Sequence, residues 1–298
     1  MSKAPALPRC RICDSGKIER VVHQLKRSRF DILRCRSCAT EFMDPQPGFE
    51  EIKSLYNSEY YKSWNTTSGE TSAVGEMKKA TFSHCISDLK KYVASGRILD
   101  VGTASGFFLE VARDAGFEPY GVEISEYSGR IAAGKFGADH IHIGTLETAP
   151  FAPGMFDAIA MSDVLEHVLD PIRILKLAHK LLRPGGVVLI TTPNTHSISR
   201  QVMGKSWVHY HLEHLFYPNP RSIKIMASKA DFRVTICKAA VKTMNVAFLH
   251  STLLTYRHWA LTPLIKLIYA VTKPFATKQI NLKMGDIAVI LEKPAVAL

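Results

Sequence analysis

The chain has 298 residues, a mean hydropathy of zero, 46% apolar residues and a formal net charge of +11. That length gives one large domain with room for a small appendage, and the composition excludes a disordered or fibrous chain. The opening residues, MSKAPALPRC, lack an apolar run, and no stretch reaches the ~18 uninterrupted apolar residues of a spanning helix, so the expectation is a cytoplasmic protein without signal peptide or transmembrane helix. Charge is unevenly spread: residues 1–40 carry ten Lys/Arg against three acids, 41–240 carry 21 against 22, and 241–298 carry seven against two. Basic ends around a neutral middle favour an anionic partner, whether a phosphate-bearing substrate, nucleic acid or a membrane surface; a merely solubilising surface is the plain alternative.

In chain order, the first motif is Cys10-x-x-Cys13, 21 intervening residues, then Cys35-x-x-Cys38. In a cytoplasmic chain such spacing reads as four thiolates around a tetrahedral structural zinc, with no open position for catalysis. Glu19–Leu25 and Arg29–Leu33 supply the short strands of a ribbon, whose folding energy would come from the metal. The remaining cysteines, Cys85 and Cys237, read as packing residues. Pro45 and Pro47 mark a linker, Phe49–Tyr56 a short helix, and Thr66–Gly75 a Ser/Thr/Gly-rich stretch with the composition of a lid. Met77–Tyr92 is helical, with Phe82, Ile86 and Leu89 on one face.

The chain is organised around Arg97–Leu109, RILDVGTASGFFL: a buried strand ending at Asp100, a glycine turn from Gly102 to Gly106, and a helix start. This geometry presents backbone N–H groups and a helix's positive end to a ligand. A dinucleotide fingerprint begun at Gly102 would need glycines where Ala104 and Phe107 stand. What remains is D-x-G-x-x-x-G, followed by Glu123, 21 positions after Gly102. A carboxylate there can accept two hydrogen bonds from a vicinal diol; a doubly wound turn without ligand carries the same glycines. Glu118–Glu123, His140–Ile143, Met155–Ser162 and Val187–Thr192 read as further strands alternating with helices, so the sheet is parallel with right-handed crossovers. Asp163–His167 (DVLEH) is expected to open the helix after the fourth strand. Arg233–Ala240 reads as the sixth strand and Asp286–Lys293 as the seventh, its antiparallel hairpin partner, completing a seven-stranded α/β sheet.

These pieces together, from Asp100, Gly102, Gly106 and Glu123 through "DVLEHV.DP" and "LLRPGGVVLITTPN", resemble the class I S-adenosylmethionine-dependent methyltransferases over about residues 35–240. The run from Arg34 to Tyr61 resembles the front of a subset that carries a zinc ribbon, many of whose members modify sugars, glycans or secondary metabolites. The resemblance implies a Rossmann-like doubly wound fold and S-adenosyl-L-methionine as cofactor. Asp100, Gly102 and Gly106 would lie under its methionine part, Glu123 would hold the ribose, and Ser162 would line the site. Tyr60, Tyr61 and Trp64 would fold over the cofactor, or simply pack. Where many members carry an adenine-binding Asp this chain has Thr145, so the adenine would rely on the backbone of Thr145 and Leu146, on the Thr hydroxyl or on water. The implied organisation is a ribbon over 1–45, a linker and cofactor-covering segment over 46–80, and a catalytic domain over 81–298 with an apolar helical insertion at 241–283.

Methyl transfer needs an in-line nucleophile and, for an oxygen, a proton acceptor, a role suited to neutral histidine. His167, just after the fourth strand, and His214, in WVHYHLEHLFYP, are the candidates. A helix-start histidine bonded to a backbone carbonyl is the plain reading of His167. His209, His211 and His214, with Glu166 or Asp163 nearby, also have the spacing of a divalent-ion site. The insertion reads as two helices broken at Pro263. It suits a peripheral membrane contact through 246–275 at the inner membrane face, an apolar acceptor cap or dimer surface, or extra core. The leading expectation is methylation of a hydroxyl on a sugar, glycan or lipid-linked intermediate. The alternatives are a ribosomal RNA methyltransferase, disfavoured by the neutral middle and by the lack of an N/D-P-P-Y/F motif, and a non-catalytic cofactor- or partner-binding domain.

Overall fold

A computed structural model describes residues 7–55, 73–255, 261–283 and 285–295. Tyr60, Tyr61, Trp64 and most of the lid-like stretch lie outside these. The seven-stranded sheet has the order β10-β13-β8-β7-β4-β5-β6. Its strands are β4 (Gly96–Val101), β5 (Phe117–Glu123), β6 (Ile141–Ile143), β7 (Phe156–Ser162), β8 (Leu182–Pro193), β10 (Arg233–Ala239) and β13 (Asp286–Glu292). β4 to β8 pair in parallel, and β13 runs antiparallel between β8 and β10. The Rossmann-like α/β expectation therefore holds, its antiparallel last strand included.

Alternation within strands divides the core. Ile98, Ala160 and Leu189 face one side with Ile86 and Leu89 of α2 (Ala73–Leu89) and Phe108 and Leu109 of α3 (Phe107–Asp114). Leu99, Ile159 and Val188 face the other, with Ile174, Leu175 and Ala178 of α5 (Pro171–Leu181). Strands buried on both faces read as continuous apolar runs, which is why they were visible in the sequence.

DVLEH is not helical. It forms turns, because Asp163 takes a left-handed conformation (φ 53°). α5 starts only at Pro171, where Asp170 accepts the Arg173 N–H at 2.9 Å and proline's missing donor costs nothing. α4 (Glu126–Phe136) connects β5 and β6.

The N-terminal ribbon has strands β1 (Ile18–Val22), β2 (Asp31–Cys35) and β3 (Glu41–Asp44), followed by α1 (Phe49–Leu55). The first strand ends at Val22 rather than Leu25, because Leu25–Arg27 forms a short turn with Lys26 and Arg27 left-handed, and the second runs Asp31–Cys35 rather than Arg29–Leu33. A fourth strand completes this sheet, β9 (Phe216–Tyr217), contributed by a segment far along the chain: Glu41 pairs with Tyr217 and Phe42 with Phe216. The ribbon thus shares a sheet with the segment that follows β8, across the domain boundary expected at residue 45.

The insertion rises from a two-stranded stem, β11 (Lys242–Asn245) against β12 (Gln279–Leu282). It carries α8 (Val246–Thr255) and α9 (Leu261–Thr272). Pro263 does not break a helix; it stands in the first turn of α9, where a missing N–H is tolerated. Between β8 and the stem lie α6 (Ile198–Met203) and α7 (Pro220–Lys229). No helix among the described residues is long and apolar enough to cross a membrane.

Candidate active site at the carboxyl ends of the strands

The sheet reverses direction of growth between β4 and β7, and the loops leaving these two strands meet there. A Cβ at Gly102 (φ 75°) would stand 2.8 Å from Val164 Cγ2, so only glycine lets the turn pass against DVLEH. Gly106 (φ 87°) begins α3 with its face closed by Phe136, 2.7 Å from where a Cβ would be. Ala104 is also left-handed, at φ 48°.

Glu123, buried at the end of β5, holds this turn in place. Its Oε2 accepts the Ala104 N–H at 2.8 Å and its Oε1 accepts the Ser125 N–H at 2.8 Å. Asp100 is buried beneath the turn, and burial, with the Glu123 charge adding to it, pushes its carboxyl up to about 8. Leu146 is buried after β6. Thr148 Oγ1 accepts the Thr145 N–H at 3.1 Å and donates to the Thr145 carbonyl at 3.0 Å. The Thr145 backbone is thus already engaged, which leaves its hydroxyl and the Leu146 backbone as the groups on offer.

Ser162, at the end of β7, shares a 2.7 Å hydrogen bond with Thr191 of β8 and links this half to a second cluster. There Glu166, His167 and His214 bring one ligand atom each within 4.8 Å of one another. His167 Nδ1 lies 3.0 Å from the Glu213 carbonyl. Since a carbonyl only accepts, Nδ1 carries the proton and Nε2 keeps its lone pair. His167 is thus bonded to a backbone carbonyl, as the plain reading has it, but from a turn rather than from a helix start. The two rings meet edge to face, centroids 4.6 Å apart. Thr192 donates to Glu166 Oε2 at 2.9 Å, while the Leu215 and Phe216 N–H groups donate to the Glu166 carbonyl at 2.7 and 3.1 Å, fixing the His214 loop to DVLEH. Two buried atoms here, Glu166 Oε1 and His214 Nδ1, have no hydrogen-bond partner among the described residues. Burial and the neighbouring histidines hold His214 well below 6.5; burial, then the Asp163 charge, holds Glu166 well above the usual carboxylate range.

Sequence reasoning missed two groups beside this cluster. Lys242 Nζ lies 3.5 Å from Asp163 and 3.3 Å from Asp286, whose other oxygen is 3.8 Å from His209 Nε2. Burial opposes the Lys242 charge, yet Asp163 and Asp286 hold its pKa above the usual lysine value. Lys242 and Asp286 begin and follow the insertion, so only the fold reveals their meeting. Glu41, fully buried in β3, accepts from Arg200 at 3.0 Å, from Tyr210 at 2.5 Å and from Arg34 at 2.5 Å. It ties the ribbon to the His214 loop.

In the ribbon, Cys10, Cys13, Cys35 and Cys38 bring four sulfurs within 4.8 Å, with Cys10–Cys38 at 3.6 Å and Cys13–Cys35 at 3.5 Å. A tetrahedron with ~2.3 Å metal–sulfur bonds has sulfur–sulfur edges of about 3.8 Å, so the set suits zinc. His211 packs its ring against that of His214, centroids 5.3 Å apart, with its Nδ1 3.2 Å from Lys26 Nζ, and is not one of the three clustered donors.

Comparison with known proteins agrees with this architecture. A methyltransferase-domain family model matches residues 77–235, more than half of the chain. The ubiquinone biosynthesis O-methyltransferase of Pseudomonas aeruginosa PAO1 is 29% identical over 112 residues, 36% of this chain and 48% of that protein. The Ralstonia nicotianae enzyme of the same name is 31% identical over 124 residues, 39% of this chain and 52% of its own. The matches span about half the length of these curated relatives. The structure of a SAM-dependent methyltransferase from Thermotoga maritima superposes with TM-score 0.53 at 17% identity, covering 83% of this chain and 100% of that one. The [4+2]-cyclase SpnF superposes with TM-score 0.51 at 16% identity, covering 84% and 98%. These two likenesses speak for the fold alone. Glycine turn, strand order and family match converge: the chain belongs to the S-adenosylmethionine-dependent methyltransferase family.

Proposed function

We propose that the protein transfers a methyl group from S-adenosylmethionine to a hydroxyl of a small, glycan or lipid-linked acceptor. The observation that carries this reading is the meeting of the glycine turn with the Glu166–His167–His214 cluster where β4 and β7 diverge. The bound cofactor would supply an activated sulfonium methyl. The turn from Gly102 to Gly106 would cradle it, Asp100 and Glu123 fixing the turn and the ribose, Leu146 and the Thr145 hydroxyl bordering the adenine, and Ser162 lining the methyl side. His167 and His214, neutral before the reaction, would hold the acceptor hydroxyl in line; as its oxygen bonds to the methyl carbon and the carbon–sulfur bond breaks, the unpaired His214 Nδ1 would take the hydroxyl proton and become imidazolium. The O-methyl chemistry in the names of the ubiquinone-pathway relatives supports an oxygen acceptor.

A second reading of the cluster is favoured by Glu166 Oε1, the other unpaired buried atom. Glu166, His167 and His214 form a carboxylate-and-two-imidazole donor set for a divalent cation, which would lower the pKa of an acceptor hydroxyl. The four cysteines we assign to a structural zinc.

The test is incubation with methyl-labelled S-adenosylmethionine and cell extract, followed by separation of lipid, polysaccharide, RNA and protein. Label in lipid, glycan or small molecules supports the reading; label in RNA overturns the acceptor class. His167→Ala and His214→Ala should each cut turnover at least tenfold with cofactor affinity unchanged. Asp100→Ala and Glu123→Ala should weaken cofactor binding by calorimetry, and unchanged affinity would refute the placement. Turnover that falls on chelation and returns with a divalent cation, in protein retaining its zinc, selects the cation over the base.

A further inference from the structure

Among the described residues, the α8–α9 hairpin has one face without cover. α9 turns Thr262, Ile265 and Tyr269 inward, where Tyr269 stacks on His250 of α8 at 3.7 Å. Its other face carries Leu264, Leu267, Ile268 and Val271, continued by Phe275, all exposed: Leu267 by 65% and Val271 by 73%. Offsets of three, four and seven put these on one stripe. An apolar stripe of this size in water is an interaction surface rather than ordinary exposure. The extra-core reading does not apply to it.

Charge identifies the partner. Between Asp231 and Asp286 there is no acidic residue, against eight Lys/Arg. Lys266 and Lys273 fall within the stripe's span of sequence and Lys278 follows it, all three exposed, with Lys278 Nζ 6.0 Å from the Phe275 ring. A protein partner for an apolar stripe needs no such purge of acids; an anionic surface does. A second exposed apolar pair, Ile198 and Val202 on α6, flanks the base of the insertion: Gly285, just after the stem, packs on Ser197 and Ser199, and its carbonyl accepts the Asn194 N–H at 2.8 Å. The chain from Pro171 to Leu212 also holds no acid. The stem itself is anchored to the catalytic part, Thr243 N–H donating to Thr81 Oγ1 of α2 at 2.9 Å. The hairpin is therefore a projecting apolar element on a basic, firmly held base.

We propose that the exposed face of α9, with α6 beside its base, docks the protein on the surface of an anionic lipid bilayer, without crossing it. The stripe enters the headgroup–acyl boundary while the lysines meet lipid phosphates. This places the rim on which the strands end, and hence the candidate site, toward the bilayer. The surface binding stands whether or not methyl transfer is the activity.

The experiment is flotation of the full chain with vesicles of phosphatidylcholine alone and of phosphatidylcholine mixed with phosphatidylglycerol. Binding is expected to the mixed vesicles at low salt, falling at least tenfold at high salt and absent on phosphatidylcholine alone. Leu267→Glu/Val271→Glu should reduce partition at least tenfold, and Lys266→Glu/Lys273→Glu should remove the preference for the anionic lipid. Both replace exposed side chains, so circular dichroism and cofactor affinity should not change. No partition at low salt, or partition untouched by both double variants, overturns the proposal. A concentration-dependent dimer that the Leu267→Glu/Val271→Glu variant dissociates also overturns it, by assigning the stripe to a second copy of the chain. Cofactor affinity, measured separately, reports on the catalytic reading and is not moved by any of these outcomes.

Discussion

The N-terminal ribbon and the α8–α9 hairpin are both short additions to one seven-stranded sheet, yet they meet it differently. The ribbon turns its apolar residues inward: Ile12, Ile32, Leu33, Phe42 and Met43 are almost wholly buried, and they join the core cluster that contains Leu99 and Val188. It also extends a charged residue into that interface, Glu41, held by two arginines and a tyrosine. The hairpin is tied by polar contacts at its stem and leaves apolar side chains outside. A segment that buries its apolar side and satisfies its buried polar groups acts as a brace, and one that exposes an apolar stripe is a surface awaiting a partner. The ribbon's brace has a consequence for chemistry, because β9, which it pairs, begins two residues after His214.

The largest expected effect follows from removing the metal that the four cysteines suit. Structural zinc in small modules contributes about 10–16 kcal/mol of apparent folding free energy. Metal analysis should find one zinc per chain, and Cys35→Ala or strong chelation should unfold the ribbon and lower the melting temperature of the whole domain, since the pairing of Phe42 with Phe216 goes with it. Loss of zinc without any change in thermal unfolding would show that the ribbon does not brace the sheet.

Next comes the junction itself. Glu41→Ala leaves Arg200 and Tyr210 buried without their acceptor and should cost about 3–5 kcal/mol in urea unfolding. Turnover should fall further than stability alone explains, through the His214 loop. A loss below about 1 kcal/mol, the range of exposed ion pairs, would place the brace elsewhere.

How much of this was legible depends on distance along the chain. The strands were visible because β4, β7 and β8 are continuous apolar runs, and the cysteines because metal spacing is local. The β3–β9 pairing joins Glu41 to Tyr217, and nothing local in either segment announces the other. The same holds for Lys242 with Asp163 and Asp286: each looks like an ordinary surface charge until the insertion's stem folds against the rim. DVLEH was misread because its apolar spacing suits a helix, whereas Asp170-Pro171, a sound helix start, stood seven residues downstream of Asp163. Pro263 was misread in the opposite sense, as a break rather than a first turn.

Asp100 gives a pH-dependent intermediate effect. Burial raises its carboxyl to about 8 in the folded protein, against 3.8 in the unfolded chain. Below 3.8 both states hold the proton and there is no effect; between the two values the folded state holds more protons, so rising pH withdraws stability until the folded carboxyl ionises near 8. Asp100→Asn removes this loss. In the cofactor-free protein its melting temperature relative to the parent should climb from pH 5 to pH 9. A difference constant over that range would mean that Asp100 is ionised throughout.

The smallest effect sharpens the contrast most directly, because it compares side chains of equal size. Ile32 in the ribbon is fully buried, whereas Leu267 on α9 is 65% exposed. Truncating Ile32 to alanine removes buried methylenes and leaves a cavity in a junction that cannot collapse, so the cost should be about 2–5 kcal/mol. Truncating Leu267 removes a side chain that already faces water, and alanine is the better helix former, so stability should stay within about 0.5 kcal/mol. Chemical denaturation of both variants in free solution makes the comparison. Near-equal losses would mean that α9's stripe is covered by this chain or by a second copy, and the distinction between brace and docking surface would fall with it.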